Sequence, residues 1–128
     1  MRNPLGYDKM WLMYYCPFFE LGMDVDIINM DDSLEGYNLV IAPVNYMYRA
    51  DYLEHVRSFV SRGGTYVTTY WSGEVDENDL CFLDRHPLAD VLGIRTEEID
   101  VSPEYVHNRM VTEQKSYDIH GACAPWIS

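Results

Sequence analysis

The feature that most constrains the fold is a glycine pair that separates two segments of different periodicity. Before it, residues 51–61 carry apolar side chains at three- and four-residue steps, the period of an amphipathic helix. After it, residues 65–71 are almost entirely β-branched and aromatic, which is typical of a strand covered on both faces. Gly63 and Gly64 end the helix, because glycine readily takes the left-handed conformation at a helix C-terminus. A helix, a tight turn and an interior strand in this order predict an α/β sheet.

Other segments continue the alternation of helices and strands. A helix is predicted over 7–21, with a kink or restart at Pro17 and an end at Gly22. Short apolar strands are predicted at 25–28 and 39–42, and the second is the unbroken apolar run expected of a parallel strand. A doubly wound sheet normally begins with a strand, and a helix as apolar as 7–21 needs a sheet to pack against. We therefore expect a mainly parallel sheet with a further strand upstream of this chain.

Beyond residue 83 the pattern predicts a short helix, an edge strand and two further strands, at 87–93, 94–101, 105–106 and 116–119. A polar turn is expected at 113–115. From residue 102 onward the periodicity weakens. We expect residues 1–128 to form one domain, of which 102–128 is the least regular part.

Charge and cysteine content exclude several classes of protein. The chain has 21 acidic and 9 basic residues, and its net charge of −12 would repel a nucleic-acid backbone or an anionic membrane surface. The N-terminus lacks the pattern of a signal peptide, and no apolar run is long enough to span a membrane. Three widely spaced cysteines, Cys16, Cys81 and Cys123, fit reduced thiols. We expect a cytoplasmic protein that binds neither nucleic acid nor membrane.

An acidic loop, residues 71–82, follows the central strand and carries the densest carboxylates, Glu74, Asp76, Glu77 and Asp79. A calcium loop beginning at Asp76 would need glycine at its sixth position, where the chain has Cys81. A catalytic carboxylate pair would be expected on separate rigid elements, about 5–10 Å apart, rather than on one flexible loop. The simplest interpretation is a solvated loop whose Asp and Asn residues cap turns. The alternative is a contact with another subunit or domain.

Signals for metal, nucleophile or phosphate sites are weak. His120 and Cys123 are the one pair at ligand spacing, and structural zinc usually takes four ligands. Ser72 lacks the preceding glycine of a nucleophile elbow. The glycine pair 63–64 precedes a strand rather than a helix, which is the wrong order for a phosphate cradle. We predict no catalytic residue, no metal and no cofactor.

Four aromatic residues lie near the carboxyl ends of the strands predicted at 39–42 and 65–71: Tyr46, Tyr48, Tyr70 and Trp71. Doubly wound sheets bind ligands at that edge, and aromatic rings also anchor interfaces or stack on sugars. Burial in the core is the simpler role for about half of them.

The acidic loop and several other segments together are specific enough to indicate a family. Residues 72–79 have the sequence Ser-Gly-Glu-Val-Asp-Glu-Asn-Asp, and further matching segments lie in order at 22–28, 36–43, 59–65 and 91–100. In these segments the chain resembles the middle domain of the family 42 β-galactosidases, the domain named for trimerisation. The resemblance implies a flavodoxin-like or class I glutamine-amidotransferase-like three-layer α/β fold.

The resemblance also implies a parent enzyme that removes terminal β-galactose with retention, using two glutamates on a TIM barrel. That barrel lies outside this domain in the family, so no catalytic residue is assigned to this chain. The chain departs from the family at 84–86, Asp-Arg-His, where a glycine-rich turn is usual. The family's opening and closing strands are not evident either. The resemblance therefore implies a partial domain, incomplete at both ends and inactive by itself.

We therefore expect a non-catalytic domain that self-associates, as a trimer in the parent enzyme, and supports the parent's TIM barrel. The expected interface residues are Trp71, Glu74, Asp76, Glu77, Asn78, Asp79, Leu80, Phe82, Tyr46 and Tyr48. The apolar members Trp71, Leu80 and Phe82 carry this expectation, because a cluster of such side chains is rarely left in water without a partner. Two alternatives remain open. One is a stand-alone flavodoxin-like or amidotransferase-like protein, and the other is a galactoside-binding module that uses Tyr46, Tyr48 and Trp71.

Overall fold

The computed structural model describes residues 7–83, 85–94 and 108–119. The chain divides into two compact units, one made of 1–13 with 98–128 and the other of 14–97. Its elements follow in the order α1 (Tyr7–Glu20), β1 (Leu39–Ala42), α2 (Ala50–Ser61), β2 (Thr65–Thr68), α3 (Ala89–Leu92), β3 (Asn108–Val111) and β4 (Ser116–Ile119). No helix within these described ranges is long and apolar enough to cross a membrane.

A parallel pair of strands forms the centre of the larger unit. β1 and β2 pair in parallel, with Leu39 opposite Thr65 and Ala42 opposite Thr68. α2 connects the two strands and packs on β2, as the crossover of a parallel pair requires. The predicted α/β class with a parallel sheet is confirmed.

The core lies on one face of this sheet. Its buried side chains come from α2, from the loops beside it and from the turn before α3: Leu34, Tyr48, Tyr52, Val56, Phe59 and Leu88. Val40 and Tyr66 pack against this cluster, because alternate side chains of a strand point to the same face. Leu39 and Val67 occupy the opposite face and are exposed. The prediction of a strand covered on both faces is therefore wrong for the part of the chain described.

Glycines end both long helices, as the sequence predicts. Gly63 has a φ of +94°, its N–H donates to Val60 O at 2.9 Å, and the N–H of Gly64 donates to Phe59 O at 3.1 Å. The same pair of bonds closes α1 at Gly22, whose φ is +67°. These are the paired bonds of the Schellman motif. α1 is one continuous helix with Pro17 inside it, so the restart predicted there does not occur.

Two predicted strands differ in the structure. β2 ends at Thr68, and Tyr70 and Trp71 form a turn instead of prolonging it. Residues 25–28 are coil, although their composition is that of a strand. A strand needs a neighbour for its backbone N–H and C=O groups, and residues 25–28 form no ladder with any other described residue.

The short helix α3 lies within the predicted range 87–93 and ends at Gly93, whose φ is +66°. Arg57 of α2 holds its first turn, because Nε donates to Asp90 Oδ2 at 2.9 Å and an NH2 group donates to Pro87 O at 2.6 Å. The amphipathic helix α2 therefore contacts α3 through an ion pair as well as through the core.

In the smaller unit, β3 and β4 form an antiparallel hairpin with Val111 opposite Ser116. The N–H of Thr112 donates to Lys115 O at 2.8 Å and closes the turn between the strands. The strand predicted at 116–119 and the turn before it are confirmed, whereas the sequence pattern does not predict β3. The strands predicted at 94–101 and 105–106 fall, apart from residue 94, outside the described residues.

Candidate interface loop

The acidic loop is anchored to the segment that follows β1. The N–H of Asn45 donates to Ser72 Oγ at 3.0 Å, and the N–H of Gly73 donates to Asn45 O at 2.9 Å. Further along, the N–H of Tyr48 donates to Val75 O at 2.9 Å. Ser72 and Val75 are both buried. The loop therefore begins as a hydrogen-bonded continuation of the carboxyl edge of the sheet.

Two strained backbone positions set the direction in which the loop leaves the sheet. Val44 and Trp71, shortly after β1 and β2, have φ values of +45° and +60°. A residue with a side chain pays about 1–3 kcal/mol to hold such a conformation, so surrounding contacts must impose it. The N–H of Val44 donates to Thr69 Oγ1 at 2.8 Å. This bond joins the two strand ends and fixes the turn that exposes Trp71.

His86 connects the loop to the start of α3. Its Nδ1 accepts the N–H of Leu88 at 3.1 Å, so in the neutral imidazole the ring proton is on Nε2. Nε2 then donates to Ser72 O, which is 2.8 Å away. The ring also meets Tyr48 edge to face, with 5.9 Å between the centroids. In the sequence His86 stands out only as part of a departure from the family pattern, and this role cannot be predicted from it, because the contact joins residues far apart in the chain.

Asp76 organises the acidic tip of the loop. Its Oδ1 accepts the N–H of Asn78 at 2.8 Å and the N–H of Leu80 at 3.0 Å. The N–H of Asp76 donates in turn to Leu80 O at 2.9 Å. The hydrogen bonds from the amides of Leu80 and Asn78 hold the pKa of the Asp76 carboxyl below its ordinary value. One of the four carboxylates thus shapes the loop by an Asx-type turn, while Glu77 and Asp79 are exposed.

A cluster of three tyrosines, of which Tyr48 and Tyr52 are buried and Tyr66 is partly buried, lies in the core of the larger unit. The hydroxyl of Tyr66 is 3.1 Å from that of Tyr48 and 3.0 Å from that of Tyr52. Burial raises the pKa of Tyr66 and of Tyr52 above the ordinary value of a phenol. The Tyr48 side chain is 0% exposed. It therefore has no surface to offer to a partner or a sugar, and the galactoside-binding alternative retains only Tyr46 and Trp71.

The exposed part of the loop is apolar and acidic. Trp71 and Leu80 are exposed, Leu80 to 63%, and Leu83 just beyond the loop is exposed as well. Tyr46 is exposed beside them, whereas Phe82 is partly buried and packs against the core. The loop contains no Lys or Arg. Of the residues expected at an interface, Tyr48 is therefore buried and Phe82 is partly buried.

The described residues contain no group of three or more His, Cys, Asp or Glu placed to hold a metal ion. Cys16 and Cys81 are exposed free thiols, and the pair His120 and Cys123 lies outside the described residues. A cavity of about 350 Å³ beside the loop is lined by Arg57, His86, Phe82 and their neighbours. Two guanidinium groups line this cavity: that of Arg57 is already bonded to Asp90, Glu54 and Pro87 O, and that of Arg85 belongs to an exposed residue.

Comparison with known proteins places the chain in a family. A family model described as the β-galactosidase trimerisation domain matches residues 2–126. The β-galactosidase BglY of Alicyclobacillus acidocaldarius is 44% identical over 98 residues, which is 75% of this chain and 14% of the relative. The β-galactosidase Pbg of Clostridium perfringens is 45% identical over 111 residues, which is 84% of this chain and 16% of the relative. The chain therefore spans 14 to 16% of the length of these relatives.

Solved structures agree with this similarity. The β-galactosidase of a Rahnella species superposes with a TM-score of 0.76 at 47% identity, covering 82% of this chain and 16% of that one. The β-galactosidase of Bacillus circulans sp. alkalophilus gives a TM-score of 0.73 at 39% identity, covering 84% of this chain and 17% of that one. Matched over nearly its whole length by the family model, the chain belongs to the family of β-galactosidase trimerisation domains of the glycoside hydrolase family 42 enzymes.

Proposed function

We propose that this chain is a non-catalytic self-association domain of a β-galactosidase, and that its acidic loop contacts a neighbouring copy in a trimer. The observation that carries the proposal is the exposure of Trp71, Leu80 and Leu83 on and beside a loop whose backbone is anchored. Several large apolar side chains left exposed on and beside one short loop are typical of interaction surfaces. Since Ser72, Val75 and His86 fix the loop before any partner arrives, little conformational entropy is lost on association.

The same proposal includes a specific fold type for the chain. We assign residues 1–128 to one partial domain with a flavodoxin-like or amidotransferase-like three-layer architecture. The parallel pairing of β1 with β2 through α2, and a functional loop at the carboxyl edge of the sheet, support this assignment. Flavodoxin-like folds have helices on both faces of the sheet, and the exposed Leu39 and Val67 mark the face that remains to be covered.

In this proposal, the catalytic activity of the whole enzyme lies outside this chain. The relatives are named β-galactosidases, and the chain covers 14% and 16% of the two compared above. Hydrolysis of terminal β-galactosides in the cytoplasm, by two glutamates on a TIM barrel, is assigned to the rest of such a polypeptide. The domain supports that barrel and holds copies together, and no catalytic, metal or cofactor residue is assigned to it.

The test is the mass of the full-length enzyme carrying Trp71→Ala and Leu80→Ser. Phe82 is left intact, because its partial burial against the core would confuse an interface effect with unfolding. We expect light scattering to show a lower mass than the unmodified enzyme at low protein concentration. Ile94→Ser, which changes an exposed apolar residue outside the loop residues 71–82, is the matched control and should keep the mass. An unchanged mass for the double variant down to nanomolar concentration would contradict the proposal.

A further inference from the structure

A cavity of about 350 Å³ lies directly beyond the acidic loop. Phe82, Leu83 and Pro87 contribute apolar surface to it, and Arg57 and Arg85 contribute cationic groups. Leu83 is 96% exposed, so part of this apolar surface is in contact with water. Binding pockets in proteins begin at about 300 Å³. The cavity therefore has room for a few side chains of another molecule.

Of the two guanidinium groups at the cavity, only that of Arg85 is uncompensated within the described part of the chain. Arg57 donates from Nε to Asp90 Oδ2 and from Nη1 to Glu54 Oε1, each at 2.9 Å, so its charge is neutralised. Arg85 is exposed and forms no ion pair with another described residue. The cavity therefore presents a positive charge next to apolar surface, in a chain whose net charge is −12.

The tip of the acidic loop, residues 76–80, has the opposite charge. Leu80 is 63% exposed, and Glu77 and Asp79 near it are exposed as well. The Asp76 carboxylate is occupied by its own turn, which leaves Glu77 and Asp79 to meet a cation. The loop contains no Lys or Arg. An apolar side chain flanked by negative charge is complementary to an apolar cavity that carries a positive charge.

The symmetry of a trimer requires two different patches on each copy. Only a two-fold interface joins a patch to its own equivalent, whereas a closed ring of three joins one patch to a second patch on the next copy. The loop tip cannot serve as both patches, because carboxylates facing carboxylates would repel. The cavity lies next to the loop tip along the chain, which suits a contact close to a three-fold axis.

We propose that the loop tip of one copy docks into the cavity of the next copy, with Leu80 against Leu83 and Pro87 and with Glu77 paired to Arg85. The occupant is a second copy of this chain, because the loop tip supplies both the apolar side chain and the negative charge that the cavity lacks. The inference rests on the proposed function, since it takes the loop as the contact in a trimer, and it names the surface that the loop meets.

Charge reversal in the full-length enzyme tests the docking. We expect Arg85→Glu to raise the protein concentration at which half of the trimer dissociates by at least about 10-fold, because a carboxylate would then face Glu77. Arg85→Gln, which removes the charge without reversing it, should have a smaller effect in the same direction. Arg62→Glu makes the same change of charge at an exposed arginine outside the cavity and should change this concentration by less than about 3-fold. Light scattering over a dilution series measures all three variants.

Rescue by a second reversal identifies the partner of Arg85. Glu77→Arg alone should weaken the trimer as Arg85→Glu does. The enzyme with both substitutions has the same ion pair with its signs exchanged, and it should dissociate within about 3-fold of the unmodified concentration. Asp79 is left unchanged, because its φ of +61° suits Asp better than Arg. A double variant that dissociates more readily than either single variant would overturn the proposal.

The two proposals can fail separately. If Trp71→Ala with Leu80→Ser dissociates the enzyme while Arg85→Glu and Arg85→Gln do not, the loop interface stands and the cavity is not the surface that it meets. If none of these variants dissociates the enzyme, the loop is not the contact and both proposals are wrong. Urea unfolding of each variant should give the midpoint of the unmodified enzyme, because the Arg85 side chain is exposed.

Discussion

Gly73 lies so close to the ring of Tyr48 that a β-carbon at position 73 would be 2.5 Å from Tyr48 Cε2. The same β-carbon would be 2.8 Å from His86 Nε2, the atom that bonds to Ser72 O. Tyr48 is fixed by burial and by the hydroxyl of Tyr66. The position of the acidic loop therefore depends on a residue without a side chain at the point where the loop crosses the core.

Replacing Gly73 should loosen the loop. Gly73→Ala adds a clash with Tyr48 to the cost of a φ of +69°, and we expect a loss of about 2–4 kcal/mol in the free energy of unfolding. Gly93→Ala is the matched control, because Gly93 has nearly the same φ, +66°, and nothing within 4 Å of the added carbon. It should cost about 1 kcal/mol. Urea unfolding of the chain measures both, and equal losses would show that the contact with Tyr48 is unimportant.

Removing the central hydroxyl of the tyrosine cluster should destabilise the core. Tyr66→Phe leaves the hydroxyls of Tyr48 and Tyr52 without their shared partner, at a cost of about 1–3 kcal/mol. Tyr46→Phe removes an exposed hydroxyl in the same region and should change the stability by less than about 0.5 kcal/mol. Thermal unfolding of the two variants measures the difference. A Tyr66→Phe protein as stable as the Tyr46→Phe protein would contradict the bonding described for the cluster.

Stability should fall in alkaline solution. Burial raises the pKa of Tyr66 and Tyr52, so the folded chain keeps these phenols protonated at a pH where the unfolded chain, with phenol pKa values of about 10, releases its protons. The stabilisation is complete below about pH 10 and decreases as the pH rises above it. The urea concentration at the midpoint of unfolding, measured between about pH 9 and pH 11, tests this. In the Tyr66→Phe variant this midpoint should decrease less with pH. A constant midpoint over that range would refute the expectation.

The tip of the loop should depend on the Asp76 carboxylate. Asp76→Ala removes the acceptor for the amides of Asn78 and Leu80, so the Leu80 amide should exchange faster with solvent. Asp76→Asn keeps a side-chain carbonyl that can accept these bonds. Its Leu80 amide should therefore exchange more slowly than that of the alanine variant. Since the folded pKa of Asp76 is lowered, the unmodified loop is fully stabilised above the unfolded value of about 3.9 and loses this contribution as the pH falls through the folded pKa. An equal Leu80 exchange rate in all three proteins would argue against the Asx turn.

The local elements could be predicted because their causes are local. Gly22, Gly63 and Gly93 each end a helix by bonds to carbonyls within the preceding five residues, and the amphipathic period of α2 describes its own buried face. The run 39–42 became β1 as predicted. The Ser-Gly-x-Val-Asp-Glu-Asn-Asp signature at 72–79 was specific enough to indicate the family that the comparisons confirm.

Predictions that depended on distant neighbours were less accurate. Residues 25–28 have the composition of a strand, but a strand forms only when a second chain segment takes up its backbone bonds. Tyr48 and Tyr46 have the same side chain and similar sequence surroundings, yet one is buried and the other is exposed. Trp71 continues an apolar run, but contacts with the segment after β1, such as the bond from the Val44 N–H to Thr69 Oγ1, accompany a turn before it.

The sequence by itself determined the helices, the parallel strand pair, the acidic loop and the family, because these follow from period, composition and short-range hydrogen bonds. Only the tertiary structure decided which aromatic rings face outward and that Gly73 lies against both Tyr48 and His86. Burial and pairing are properties of residues brought together from separate parts of the chain, and no local pattern encodes which parts will meet.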